Sequence, residues 1–346
     1  MARKFGKHSI NTTPDSFVRV QEDRLLDFSV RCFEKSGIDN EHATLISRLL
    51  VNSDLRGIRS HGTRAMNGYC HAFEEGQHNP APDLKVIHET PTSVVVDGDG
   101  TLGYLPMARA TEGAIAKAKE VGMGMGLARN MGHYGSAGHY ARMCMEANCI
   151  GFSVQGYRGM GNAAGQESKP QIGYWGNPPM CFAIPAGKEP AMVLDSGTYI
   201  LTGIPSSPET DDLMEKFPVL FFRSIGFCAV SSLLGAGLAG VALPETADNA
   251  KWPANGLGGM VLAINVSAVI SEDAFLGEAD RLARDLRETH RPIPGTDEAL
   301  LPGAIEEQRV EAHRREGIRY GPEEQAESRK ASERLGVPLP WEEQIH

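Results

Sequence analysis

Long apolar runs are scarce in this 346-residue sequence, and no unbroken one reaches the length of a membrane span. Positive charge is in deficit: 34 Lys and Arg face 44 Asp and Glu, a formal net charge of −10, which argues against nucleic acid as a main partner. The six cysteines (Cys32, Cys70, Cys144, Cys149, Cys181 and Cys228) form no Cys-x-x-Cys, so neither a disulfide frame nor a zinc site is expected, only reduced and mostly buried thiols. His61 with His71, and His133 with His139, fall at intervals unlike compact zinc patterns, so no metal is expected. Internal repeats are missing. The start, Met1-Ala2-Arg3-Lys4-Phe5, has no apolar signal core behind it, and the expectation is a cytoplasmic protein without a membrane partner.

What remains is ordinary for a folded chain: 41% hydrophobic and 23% charged residues, at a length that predicts two or three lobes. The apolar spacing is helical from Phe17 to about Tyr69, with helices expected through Phe33, over Glu41 to Leu55, and from just past Ser60. After Pro80 and Pro82 the period changes. Strands are expected near Ser93–Asp97, Gly124–Ala128, Ile150–Gln155, Cys181–Pro185, Met192–Asp195 and Met260–Val266, alternating with helices, which predicts an α/β class with a mixed sheet. Tyr199 to Pro218 reads as a loop, Phe227 to Leu238 as a buried helix apolar on all sides, and three amphipathic or polar helices follow. The resulting division is a helical lobe (1–80), a mixed-sheet lobe (81–266) and a C-terminal helical segment (267–346).

One stretch concentrates chemistry: Asp54-Leu55-Arg56-Gly57-Ile58-Arg59-Ser60-His61-Gly62-Thr63-Arg64. Imidazole titrates nearest neutrality, so a positioned His61 suits proton transfer, and a guanidinium offers a planar fork for a carboxylate. The plainer reading is a helix C-terminus with a glycine stop. Gly235-Ala236-Gly237-Leu238-Ala239-Gly240 spells G-x-G-x-x-G, but a helix rather than a strand is expected before it and Pro244 interrupts any helix after it. A Rossmann turn needs the opposite order, so these small residues are read as helix packing.

Taken together, Arg56 to Gly62, Val96-Asp97-Gly98 with Leu102-Gly103, Asn130-x-x-His133-Tyr134-Gly135-x-Ala137-Gly138, Gly176-Asn177-Pro178, Phe182 to Pro185, Val193-Leu194-Asp195 and Pro302-Gly303 resemble the type-2 malate/lactate dehydrogenase family. The resemblance runs in order from about Leu25 to Val337. It implies a non-Rossmann nucleotide-binding lobe on a large mixed β-sheet, a C-terminal segment packed back on the helical lobe, a homodimer, NAD or NADP as cofactor, and a small anionic 2-oxo acid or cyclic imino acid as substrate. By the same resemblance His61 is the catalytic histidine and Asp195 its partner, expected to orient the ring and raise its pKa. Ser60 is expected to hold the imidazole or the substrate oxygen. His133 and Gly135 are expected at the cofactor site, where a loop entering a helix suits a pyrophosphate. Asn177 and Pro178 are expected beside the nicotinamide, and Thr198 and Arg223 along the dinucleotide. The plain alternatives are a turn-forming Asp195, a capping Ser60 and a His133 packed in its loop.

The sequence also departs from the family. Its substrate arginine commonly stands four residues after the histidine, where this chain has Ala65; Arg64, Arg56 and Arg59 are the candidates in its place. A one-residue shift turns a helical side chain by about 100°. Gly197-Thr198-Tyr199 follows Asp195 where Ala-Thr-Ser is common, the next connection is short, and Arg223 stands where a lysine is usual. These changes leave open a different substrate, a divergent relative that has lost or altered nucleotide binding and uses His61 and Asp195 for non-redox proton transfer, as a lyase, hydratase or isomerase, and a non-catalytic binder of small acids.

Overall fold

A computed structural model describes residues 11–157, 177–200, 207–247, 251–292 and 296–341. The first element is a strand, β1 (Val18–Val20), followed by α1 (Glu22–Lys35), α2 (Asn40–Leu55) and α3 (Met66–Glu74). The helical reading from Phe17 is thereby corrected at its start. Val18 to Val20 are extended because they pair antiparallel with Ile318 to Tyr320, a partner no local spacing reveals. α2 begins where Asp39 accepts a hydrogen bond from the His42 N–H at 2.9 Å, satisfying one of the orphan donors of the first turn. The three helices bury Phe28, Phe33, Ile46, Leu50, Met66 and Phe73 in one cluster, which also takes Ala331 and Val337 from the far end of the chain. At about 1.5–3 kcal/mol for each large apolar side chain removed from water, this cluster outweighs any surface ion pair in holding the two ends together.

The sheet is built from β2 (Lys85–Glu89), β3 (Ser93–Asp97), β4 (Met123–Met131), β5 (Cys149–Tyr157), β6 (Pro179–Ile184), β7 (Met192–Gly197) and β8 (Leu257–Asn265), with α4 (Tyr104–Val121) before β4 and α5 (Ala137–Glu146) before β5. Their order is β2-β3-β4-β8-β5-β6-β7. β3 and β4 pair parallel across the α4 crossover, and the other neighbours pair antiparallel. A dinucleotide fold of the doubly wound kind would be mostly parallel, so this is a different, mixed sheet.

After β7 come α6 (Pro208–Lys216), α7 (Pro218–Ser232) and α8 (Pro244–Ala247), then, past β8, α9 (Glu272–Thr289), α10 (Ala304–Glu316), strand β9 (Ile318–Tyr320) and α11 (Pro322–Leu335). The loop expected from Tyr199 to Pro218 holds α6, started by a capping box between Ser207 and Thr210. The helix expected to be buried on all sides is corrected as well. α7 continues through a π turn (Leu233–Gly237) and lays Ser224, Cys228, Ser231, Ser232 and Ala236 inward, while Phe222, Phe227 and Leu233 are 77%, 53% and 68% exposed. Pro218–Gly237 is long and apolar enough to cross a membrane by length and composition, which corrects the reading that nothing in the chain is; Arg223 and the serines break the run of letters without breaking the helix. In the rejected glycine motif, a Cβ on Gly235 would strike the backbone of Gln155 and Gly156 on β5, so that glycine lets the turn lie against the sheet rather than against another helix.

α10, β9 and α11 return to the helical lobe, adding Val310, Ile318 and Tyr320 to a cluster with Val20, Leu25, Val51 and Leu55. α9 docks elsewhere. Its Asp280 carboxylate accepts from the N–H groups of Gly187, Lys188 and Glu189, and Arg287 grips Glu189 at 2.7 and 2.9 Å.

Candidate active site

The loop leaving α2 is organised by a buried carboxylate. Asp54 is 3% exposed, and its Oδ2 accepts from the Thr63 N–H at 2.8 Å and the Thr63 hydroxyl at 2.7 Å. Gly62 is glycine for this reason, since a Cβ there would collide with the Asp54 carboxyl group. Burial pushes the Asp54 pKa up to about 7, against the pull of the Thr63 bonds. Around this post the chain makes two tight turns, Arg59–His61 and Thr63–Ala65, and the first presents Ser60 and His61 to a cavity of about 250 Å³.

The three arginines of the motif face away from that cavity, a correction to the expected substrate contacts. Arg59 makes a two-pronged ion pair with the buried Glu324 at 2.6 and 2.7 Å. Arg56 is paired with Glu307 and with Asn52 Oδ1 at 3.0 Å. Arg64 pairs with Glu323 at 3.0 Å. Each partner lies on α10 or α11, so these guanidinium groups clamp the returning C-terminal helices to the loop. A helix C-terminus rich in arginine carries the same letters for either job; the acidic partners that decide it lie some 250 residues on.

The cavity does join residues far apart in sequence. Ser60, His61, His133, Asn177 and Asp195 all line it, together with Ser136, Arg142 and Arg309. Ser60 Oγ lies 2.8 Å from His61 Nδ1, and no described residue makes a hydrogen bond to Nε2. Burial holds His61 below the ordinary imidazole range; Asp195 pulls the other way but loses. The expected upward shift is therefore reversed. Asp195 sits within β7, opposite Cys181, and spends its Oδ2 on the start of α5, accepting from the Ser136 hydroxyl and from the Gly138 N–H at 3.0 Å. An anion at a helix N-terminus is stabilised by the free N–H groups and the dipole. That place, expected for a pyrophosphate, is already taken by the protein's own carboxylate.

His133 stacks on His61, with ring centres 5.7 Å apart. Its Nδ1 receives the Gly135 N–H at 3.3 Å and lies 2.7 Å from the Tyr69 hydroxyl. A backbone N–H can only donate, so Nδ1 is an acceptor and the neutral ring carries its proton on Nε2. Burial, helped by the neighbouring His61 and His78, lowers the His133 pKa to about 4, and the ring is neutral near pH 7. His133 is thus a fixed, uncharged donor beside a histidine that can change its charge.

The remaining expected cofactor residues divide. Asn177 lines the cavity; its Oδ1 accepts from the Tyr199 N–H at 2.9 Å, and its Nδ2 meets no partner among the described residues. Pro178 is buried next to it and offers its carbonyl to the Thr198 hydroxyl at 2.6 Å. Thr198 also reaches Cys228 Sγ at 3.3 Å, so it ties β7 to α7 rather than facing the cavity. Gly135, at φ +80°, packs against the Tyr104 ring, where a Cβ would not fit, and its N–H is spent on His133. Arg223 is exposed on α7, away from the cavity lining. Gly176 lies outside the described residues. The described cysteines are all free and buried, and burial raises the thiols of Cys32, Cys70, Cys144, Cys149 and Cys181, which leaves them as packing groups.

Several cavity residues escaped the sequence reading, among them Ser136, Arg142, Glu306 and Arg309. Ser136 carried a signal, being a helix N-cap whose hydroxyl accepts from the Gly138 N–H. Arg142 and Arg309 carried none, since which face of a helix meets a pocket depends on elements arriving from elsewhere. The Pro302-Gly303 pair explains one arrival. The Pro302 carbonyl accepts from the Val193 N–H at 2.8 Å, pinning the start of α10 to β7 and bringing Arg309 to the cavity wall.

This geometry can be set beside known proteins. The sequence profile described as malate/L-lactate dehydrogenase matches residues 20–202, more than half of the chain. The chain belongs to that family. Within it, the sequence is 36% identical over 187 residues to the malate dehydrogenase of Pyrococcus horikoshii, a match over 54% of this chain and 51% of that protein. The match to the Pyrococcus abyssi malate dehydrogenase likewise spans about half of that protein (50%). To the L-sulfolactate dehydrogenase of Methanocaldococcus jannaschii it is 28% identical, over 82% of this chain and 88% of that one. The solved structure of the P. horikoshii malate dehydrogenase superposes with a TM-score of 0.80 at 26% identity, covering 94% of this chain and 98% of the other. This member of the malate/L-lactate dehydrogenase family thus keeps the family's mixed α/β fold over much more of its length than the 54% that the sequence match covers.

Proposed function

We propose that the protein is an NAD(P)-dependent oxidoreductase acting on a small anionic 2-oxo acid or cyclic imino acid, or in reverse on the matching 2-hydroxy acid. The observation that carries this reading is the meeting of His61, His133, Asn177 and Asp195 around one cavity in a chain of this family. When bound, the dinucleotide would supply or accept the hydride. The residues present suit its nicotinamide end, because Asn177 Nδ2 is an unused donor at the cavity wall and a carboxamide offers an acceptor oxygen.

The protein's own part is proton management. A hydride added to the carbonyl carbon moves the C=O π pair onto oxygen, and the alkoxide takes a proton from His61 Nε2, leaving the neutral ring for the reverse direction. His133 Nε2–H, fixed by Gly135 and Tyr69, can donate to the same oxygen without ever giving up its proton. Ser60 holds the other nitrogen of His61. Asp195 acts by charge, tempering the fall in the His61 pKa while anchoring α5. No observation favours the non-redox alternative over this one.

The working form in this proposal is a cytoplasmic homodimer. Phe222, Phe227, Leu233 and Leu238 form an apolar face along and beyond α7, each more than half exposed in the single chain. Large apolar side chains left exposed in such number along one helix suit an association site. A second copy is the occupant the family resemblance implies.

Fluorescence titration with NADH and NADPH, followed by a panel of 2-oxo acids, tests the activity. Saturable binding and cofactor oxidation with at least one acid are expected, and His61→Ala should lose about 10²–10⁴-fold in turnover with nucleotide affinity kept. Folded protein that binds neither nucleotide would end the proposal.

A further inference from the structure

Arg142, on the second turn of α5, is 5% exposed, yet no hydrogen bond or ion pair joins it to another described residue. Its Nε is buried without a partner. It lines the cavity that holds His61 and Asp195. Gly138 places it further: a Cβ there would meet both the Arg142 NH1 and Asp195 Oδ2. Even so, no ion pair or hydrogen bond joins Asp195 to Arg142, and the Asp195 Oδ2 takes the Ser136 hydroxyl and the Gly138 N–H instead. Burial and the nearby Arg56 both work against the Arg142 charge, with Asp195 a partial offset. A guanidinium cannot shed its proton near neutrality, so a buried, unpaired one is costly unless something arrives to pair with it.

The other arginines near the loop are occupied, Arg56 by Glu307, Arg59 by Glu324 and Arg64 by Glu323. Arg309 stands at the boundary with a neighbouring cavity, and its NH1 leans on the Arg56 carbonyl at 3.5 Å. Position 65, where a family member would carry its substrate arginine, is alanine. We propose that Arg142 is the substrate-anchoring cation of this chain: its terminal nitrogens receive the C1 carboxylate of the 2-oxo acid and present the adjacent carbonyl to His61. The proposal rests on the reductase reading, and it moves the anchor from the loop after α2 to the helix that Asp195 caps.

Binding of oxamate, a non-reacting 2-oxo acid analogue, is measured by calorimetry on the full-length protein, with and without NADH, for wild type, Arg142→Gln, Arg142→Lys and Arg64→Ala. Pyruvate and methyl pyruvate reduction are measured alongside. Loss of a charged, bidentate partner is expected to weaken oxamate by about 10²–10³-fold in Arg142→Gln. Arg142→Lys, with charge but no fork, should fall between, and Arg64→Ala should match wild type. NADH affinity should not move. The wild-type preference for pyruvate over its methyl ester should collapse in Arg142→Gln, which a merely structural role for Arg142 would leave intact. Should Arg142→Gln fail to fold, Arg142→Lys decides, with at least about tenfold weaker oxamate binding expected. Oxamate affinity or ester discrimination equal to wild type in a folded variant overturns the anchor, and so does a wild-type protein that does not bind oxamate. Oxamate binding that depends on Arg142 in a protein unable to oxidise NADH or NADPH would sustain the anchor and remove the reductase reading instead.

Discussion

Asp54→Asn tests whether the loop that presents His61 is built around a carboxyl group held neutral. An unfolded Asp ionises near 3.8 and the folded one near 7, a gap of about three pH units. At about 1.4 kcal/mol for each unit, ionising Asp54 in place costs the fold about 4 kcal/mol. Within the gap the native state holds more protons than the unfolded one, so stability falls as pH rises. The Asp54 contribution is whole below pH 3.8 and gone above about 7. Asparagine cannot ionise, yet one acceptor oxygen is enough for both Thr63 donors, which share Oδ2. Urea unfolding of both proteins from about pH 4 to about pH 8 should therefore show the variant gaining on wild type by about 1 kcal/mol per pH unit, ending ahead by a few kcal/mol. A difference that stays flat across the window would mean that Asp54 ionises like an exposed aspartate, and the account of Gly62, Thr63 and the His61 turn built on a buried carboxyl would be wrong.

In the proposed mechanism reduction uses the His61 imidazolium of the free protein, so kcat/KM should fall as pH rises through a value under 6.5, while hydroxy-acid oxidation should rise through the same value and then level; inflections above 6.5 would mean that Asp195 outweighs burial. If the proposed homodimer forms through the exposed face of α7, Phe222→Glu or Leu233→Glu should halve the mass seen by light scattering; a wild type of monomer mass, or a variant that keeps the dimer mass, would refute that contact.

Much of the fold was legible because its signals are local. α2 is announced by its apolar spacing and the Asp39 cap, and β3 by its short valine run before Gly98. Pairing was not legible: β1 reads as part of a helical stripe until Ile318 to Tyr320 lie beside it. α7 looked buried because hydropathy alone does not tell a core helix from an apolar one exposed in the single chain. In the site, His61, His133, Asn177 and Asp195 could be named from motifs, and they line one cavity. The arginines could not be assigned. A guanidinium beside a histidine looks the same whether it awaits a substrate or grips Glu324, and the choice rests on helices encoded at the other end of the chain.

That dependence bears on how the protein comes into being. The Arg59–Glu324 clamp closes across 265 residues, and the wall carrying Arg309 is hung on β7 by the Pro302 carbonyl. While the nascent chain is still emerging from the ribosome, His61 exists but its chamber lacks a side, so the growing polypeptide has no closed cavity around that histidine until nearly all of it has been translated. A stop codon or a protease cut a little after β8 would spare every strand of the seven-stranded sheet yet remove both Arg309 and the clamp's Glu324.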